Sequence, residues 1–308
     1  MKLRFANIAS TNLIGALFVF AGAIFFSAKA VFVKLAYRYA VDSVSLLTLR
    51  MLFALPFFVA ILLWIERRER KQPSPWQPGD ARWIILLGFL GYYLASFLDF
   101  SGLQYISASM ERLILFIYPT LVVLLSAIFF KKPIERRQFP ALALTYLGVG
   151  MAFAEGIQLQ TNGPFVLGAG LVFLSALTYA IYLIGSGELL PRLGTWRFTA
   201  AALIVAASSV LIHHGLLYKW RLFHFDAAVY QLAFAMALLS TVLPAFLVSE
   251  GIQRIGASNA AIAGSVGPIS TIVLAYIFLD ERLGPWQWTG TLLVIGGVLV
   301  ITLGKRRG

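Results

Sequence analysis

The chain predicts an all-α integral membrane fold of ten transmembrane helices, built from two inverted five-helix repeats. Three observations predict it. Ten apolar stretches of spanning length follow one another in 308 residues, and a helix needs about 20 apolar residues to cross the hydrocarbon core. Basic residues divide unequally between alternate connections. The second half also repeats the first at a fixed spacing. With 60% hydrophobic residues, 12% charged and a mean hydropathy of +0.84, little chain is left for a water-soluble domain.

The spans follow in order. The first, 13–33, could pass for a signal peptide, but its apolar run is too long, and Lys29 and Lys34 occupy what should be a neutral cleavage region. The second, 44–65, ends on Trp64. A Pro-rich turn (73–78, holding Trp76) leads to the third, 82–103, which opens on Trp83. The fourth, 107–130, carries Pro119 mid-span, and the fifth is 139–154. The sixth is 165–186; the seventh, 197–217, starts behind Trp196 and ends before Trp220. The eighth, 229–249, contains Pro244, and the ninth, 258–279, contains Pro268. The tenth, 286–303, enters through Trp286 and Trp288. Indole rings prefer the headgroup region, so tryptophans at span ends support this map.

A net charge of +12 would suggest nucleic acid in a soluble protein, but its distribution points elsewhere. Seventeen Lys and Arg fall in the segments on the N-terminal side of the membrane and five, Lys34, Arg38, Lys219, Arg221 and Arg282, on the other. The positive-inside rule then puts both termini in the cytoplasm of a bacterial inner membrane protein. These charges orient the chain and need not bind anything; no nucleic-acid partner is expected. Cysteine is absent, which removes disulfides and Cys-ligated zinc. Histidine is confined to His213, His214 and His224 near one outer loop, read as interfacial polar residues rather than a metal site.

The repeat is read directly. Residues 103–151 align without gaps to 252–300 at an offset of 149, with Gln104/Gln253, Ala108/Ala257, Ser109/Ser258, Pro119/Pro268, Gln138/Gln287 and Gly148/Gly297 among the identities. The units are 1–156 and 157–308. Five crossings each force the second into the membrane upside down, and inverted repeats support alternating access.

Residues 256–302 carry a family resemblance through Gly256-Ala257-Ser258-Asn259, Gly267-Pro268, Phe278-Leu279-Asp280-Glu281-Arg282-Leu283 and Gly296-Gly297. They resemble the second EamA repeat of the drug/metabolite transporter superfamily, and Lys34, Arg50 and 107–130 extend the likeness to the first half. Within the superfamily the chain is most similar to the bacterial aromatic amino-acid exporter branch, which implies broad amino-acid export. Two positions depart from the pattern. Tyr118 and Gly267 precede the prolines where many members have Glu, and Phe130-Lys131-Lys132 replaces Leu-Gly-Glu.

Polar groups at membrane depth need a reason, because a central charge costs about 2.5–3.5 kcal/mol on insertion scales. Lys29, Arg50, Asp99, Glu111 and Arg112 qualify, all in the outer third of their spans. Arg50 is read mainly as structural. Tyr92, Ser96 and Asp99 share one helical stripe, as do Glu111, Leu115 and Tyr118. Span six offers Ser175, Thr178, Tyr179, Tyr182 and Ser186; span eight Ser240 and Thr241; span nine Ser258, Asn259, Ser265, Ser270 and Thr271. Spans three, four, six, eight and nine are expected to surround a cavity, with two, five and ten more peripheral. Substrate-binding candidates are Lys29, Tyr92, Asp99, Tyr118, Tyr179, Tyr182, Ser240 and Asn259, weighed against hydroxyls that merely join tight helix contacts. Pro119, Pro244 and Pro268 are hinge candidates, since each removes a backbone donor. Glycine pairs such as Gly88/Gly91 and Gly148/Gly150 permit close helix approach.

The expected function is a secondary transporter exporting amino acids, aromatic and neutral, with lipid as its only other partner, no cofactor and a monomeric state. No nucleotide-binding motif appears. A nucleotide-sugar or phosphometabolite exchanger would need Lys or Arg at the depth of the tyrosines, where none is expected. A membrane enzyme would need clustered His, Asp or Glu at one face, a channel is disfavoured by the inverted repeat, and an exporter of other small metabolites or drugs is the remaining alternative.

Overall fold

The structure, a computed structural model, describes residues 2–71, 73–131, 136, 138–159, 164–187, 189–219, 221–264 and 266–304. Side chains at 2–12, 130, 138, 141, 156–159, 249, 252, 253, 256–263, 298 and 301–304 lie outside the description. Every regular element in it is helical: α1 (Lys2–Tyr37), α2 (Ser43–Arg68), α3 (Asp80–Gly88), α4 (Ala95–Gly102), α5 (Ala108–Leu115), α6 (Tyr118–Phe130), α7 (Gln138–Leu159), α8 (Phe165–Gly185), α9 (Leu190–Leu193), α10 (Thr195–Tyr218), α11 (Ala227–Ala237), α12 (Leu243–Gly264), α13 (Val266–Leu279) and α14 (Pro285–Gly304). Two π-helical turns, Phe89–Leu94 and Leu238–Val242, join α3 to α4 and α11 to α12. Among the described residues, seven segments are long and apolar enough to cross a membrane: Leu13–Tyr37, Ser43–Arg68, Asp80–Gly102, Ala108–Phe129, Phe165–Gly185, Thr195–Tyr218 and Ala227–Val248. Leu142–Glu155 and Val266–Leu279 are shorter apolar helices.

Local chemistry sets the ends. Asp42, Ser107 and Asp226 accept from the Ser45, Met110 and Ala228 amides and so cap α2, α5 and α11. Lys131 and Asp280 follow α6 and α13 in left-handed conformations, φ 50° and 56°. Pro119 and Pro268 lie in the first turn of α6 and α13, where a missing N–H disturbs nothing. Pro244 sits just past the second π-turn, and Pro56 lies inside α2.

The 149-residue offset recurs in the backbone. The π-turns start at 89 and 238, and the left-handed residues that follow α6 and α13 are 131 and 280. Packing repeats as well. Gly102 lies against Val172 and the Gly168 carbonyl, and Gly251 against Val19 and the Gly15 carbonyl. Helix α1 therefore packs on α12 and α13 much as α8 packs on α4 and α5. Two counterpart pairs run antiparallel. On α2 and α10, Ser45 meets His214 while Glu66 meets Arg197. On α7 and α14, Gly148 meets Leu293 and Val294 while Glu155 meets Gly284 and Gln287.

Two expectations change. Residues 250–257 were read as a connection between spans eight and nine, yet α12 is helical through them. That helix cannot be straight. Gly251 and Gly264 both approach Val19, whereas thirteen residues (264 − 251) of straight helix would separate them by about 20 Å. The chain reverses between them. The second change is α2, which is not peripheral: all of Ser43–Met51 is buried in the main core with Phe58, Phe100 and Met236.

Candidate functional site

Two groups of side chains stand out inside the bundle. The first is ionic. Lys29 of α1 donates to Asp99 of α4 and, at 3.0 Å, to Glu111 of α5. All three are buried, with 6%, 2% and 0% exposure. The cap on α5 sets this geometry, because Ser107 starts the helix so that Glu111 falls one turn in and faces α1. Arg50 of α2 donates to Ser96 Oγ at 3.1 Å and lies 4.8 Å over the Phe100 ring. Arg112 points the other way along α5. It donates to Ser27 Oγ at 3.1 Å, covers the Phe26 ring at 5.2 Å, and reaches Gly267 so closely that a Cβ there would lie 2.8 Å from its Nη2. A hydrogen bond to a charged group is worth about 1.5–3 kcal/mol, so these contacts tie α1, α4, α5 and α13 together.

The second group is aromatic. Tyr92 in the first π-turn, Tyr118 at the start of α6, and Tyr179 and Tyr182 on α8 form one continuous set. Ring centroids are 5.0 Å apart for Tyr92–Tyr182, 5.7 Å for Tyr179–Tyr182 and 5.3 Å for Tyr118–Tyr179. The Tyr182 hydroxyl lies 3.2 Å from that of Tyr92. Tyr182 packs directly over Gly91, where any side chain would displace the ring.

The structure thus brings together Lys29 with Asp99, and Tyr92 with Tyr118, Tyr179 and Tyr182. It does not keep Tyr92, Ser96 and Asp99 on one stripe: they meet Tyr182 on α8, Arg50 on α2 and Lys29 on α1. The π-turn across Phe89–Leu94 breaks the 3.6-residue period that the stripe assumed. Ser240 is buried in the second π-turn, its hydroxyl without a partner. Several hydroxyls are used in helix contacts: Ser175 donates to the Ala95 carbonyl at 2.7 Å and Thr178 to that of Ser175 at 2.9 Å. The Asn259 side chain and Ser265 lie outside the described residues.

Sequence reasoning missed three further features. Glu281, just beyond α13, accepts from the Ala108 and Ser109 amides at 2.8 and 3.0 Å and from Ser109 Oγ at 2.8 Å, holding the start of α5. The run Asp280-Glu281-Arg282 was visible, but nothing local said which helix it would meet. At the opposite face Arg197 bridges Glu66 and Glu69 at 2.8 and 2.7 Å, and Arg192 pairs with Asp80 at 2.6 Å and with the Pro75 carbonyl. The Asp80 hydrogen bond holds the Arg192 guanidinium above its ordinary pKa. Both arginines had been read as orienting charges alone. His213 meets the Tyr93 hydroxyl at 2.9 Å, and His214 stacks on Tyr218.

Comparison with known proteins gives the context. The model of the EamA-like transporter family matches twice, over residues 13–154 and 166–303. The uncharacterized transporter YcbK of Bacillus subtilis (strain 168) is 31% identical over 294 residues, 94% of this chain and 92% of the relative. The uncharacterized transporter sll1319 of Synechocystis sp. is 26% identical over 97% of this chain and 96% of its own. The WAT1-related protein At1g68170 of Arabidopsis thaliana is 22% identical over 90% and 85%. A solved crystal structure superposes with a TM-score of 0.62 at 19% identity, covering 97% of this chain and 99% of the other, which speaks for the fold alone. Two matches to one family model, together filling nearly the whole length, and relatives that are themselves transporters lead to one conclusion: this multi-pass membrane protein belongs to the EamA-like transporter family.

Proposed function

We propose that the protein exports amino acids, aromatic and neutral, across the bacterial inner membrane by alternating access. In this reading, ten transmembrane helices form two inverted repeats, 1–156 and 157–308, with both termini cytoplasmic and the monomer as the working unit. Support for inversion comes from the antiparallel pairs α2/α10 and α7/α14, because a two-fold axis in the membrane plane runs each helix antiparallel to its counterpart. The carrying observation for the cargo is the tyrosine set beside a buried ionic cluster. Aromatic faces accept varied side chains, while a few placed polar groups fix an ammonium and a carboxylate. Tyr92, Asp99, Tyr118, Tyr179, Tyr182, Ser240, Asn259 and Lys29 line the path in this reading, and Pro119, Pro244 and Pro268 absorb the hinge motion.

Counterflow in proteoliposomes tests it. Vesicles preloaded with unlabelled phenylalanine, methionine or threonine should accelerate entry of the labelled compound. No counterflow for any amino acid from folded protein would end the reading. A second reading, exchange of phosphorylated metabolites, gains from Arg112, a buried guanidinium whose Nε has no partner. Trans-stimulation by phosphorylated sugars, with amino acids inert, would favour it.

A further inference from the structure

Three cations and two carboxylates share the buried ionic region, and they are not equivalent. Lys29 has two carboxylate partners and Arg50 has Ser96 with the Phe100 ring. Arg50 and Arg112, 4% and 8% exposed, each have a serine hydroxyl, a phenylalanine ring and an Nε without a partner, and among the described residues neither pairs with a carboxylate; of the two, Arg112 is the one whose Nη2 lies against Gly267 of α13. A guanidinium keeps its charge and presents a planar fork of donors that matches a carboxylate two bonds at a time. We propose that Arg112 anchors the carboxylate of the transported molecule. The inference rests on the transport reading above and narrows its cargo to molecules with a free carboxylate.

Place and charge both argue for it. Arg112 lies four residues before the backbone break at Phe116–Ile117, and its guanidinium lies against Gly267 of α13. Gly267 leaves room that a side chain would fill. The fork therefore sits between the break that separates α5 from α6 and the glycine of α13. Formal charges of Lys29, Arg50 and Arg112 against Asp99 and Glu111 sum to 3 − 2 = +1. A carboxylate brings this region to neutrality, whereas a phosphate dianion would leave it at −1. The ammonium of an amino acid would then face the tyrosine rings, which attract cations.

The test uses purified full-length protein and four probes: phenylalanine, 3-phenylpropionate, phenylalaninamide and phenyl phosphate. Ligand-dependent thermal stabilisation should appear with the first two and be absent with the amide. Arg112→Gln should weaken that response at least tenfold in concentration and Arg112→Lys should keep part of it, each read against its own melting point without ligand. Equal stabilisation by phenylalaninamide, an unchanged response in Arg112→Gln, preference for phenyl phosphate, or no response to any carboxylate would each overturn the inference. Stabilisation by 3-phenylpropionate, lost in Arg112→Gln but without phenylalanine counterflow, would uphold Arg112 and refute the amino-acid reading.

Discussion

Replacing Lys29 by Met removes the cation that Asp99 and Glu111 share. The side chain's length is kept, so the change is mainly electrostatic. Lys29 Nζ serves two carboxylates that are 2% and 0% exposed, leaving water no access to replace it. Each orphaned acceptor costs about 1–3 kcal/mol, and breaking a buried pair from one side costs about 3–5 kcal/mol. Arg50 and Arg112 offset the formal charge but stand beyond direct contact, so about 3–5 kcal/mol is the expected loss. At roughly 2–4 °C per kcal/mol, the melting point in detergent should fall by about 6–20 °C. The triple variant Lys29→Met, Asp99→Asn, Glu111→Gln removes the charges together and should recover more than half of that loss. A single variant melting within 2 °C of the parent, or a triple variant no better than the single, would refute the reasoning.

Further outcomes follow from particular contacts. Gly148→Ala would drive a Cβ to 2.5 Å from the Gly290 carbonyl at the α7–α14 contact and should lower stability by about 1–3 kcal/mol; Gly150→Ala, with nothing within 4 Å, should be neutral or slightly stabilising by helix propensity, both read by thermal unfolding. Glu281→Ala strips the start of α5 of a carboxylate accepting two amides, and should cost about 0.5–2 kcal/mol together with faster hydrogen exchange at Ala108 and Ser109. Tyr182→Ala should reduce counterflow more than Tyr182→Phe, since the phenyl ring keeps the contacts with Tyr92 and Tyr179 while losing only the hydroxyl. Single cysteines at Ser74 and His224, both in loops, should label from opposite sides of the membrane; labelling from one side would overturn the orientation.

The site was half legible in advance. Every ionic residue at depth could be named, because a charge inside an apolar run stands out on its own. The four tyrosines could also be named, through their helical spacing with hydroxyls. Their partners could not. Lys29, Asp99 and Glu111 are 70 and 82 residues apart in sequence, and only the way α1 packs against α4 and α5 brings them within reach. The stripe on span three failed because a π-turn cannot be told from ordinary helix by composition.

By itself the sequence determined that the chain is helical and lipid-embedded, since backbone groups in hydrocarbon must be satisfied within their own segment. It also determined the duplication, whose 149-residue offset reappears in π-turns and left-handed residues. Tertiary structure alone decided which charges pair, that Glu281 holds the start of α5, and that the Ser43–Met51 end of α2 is buried. These depend on contacts between segments far apart in the chain, where energy is set by distances of a few ångströms that no local pattern encodes.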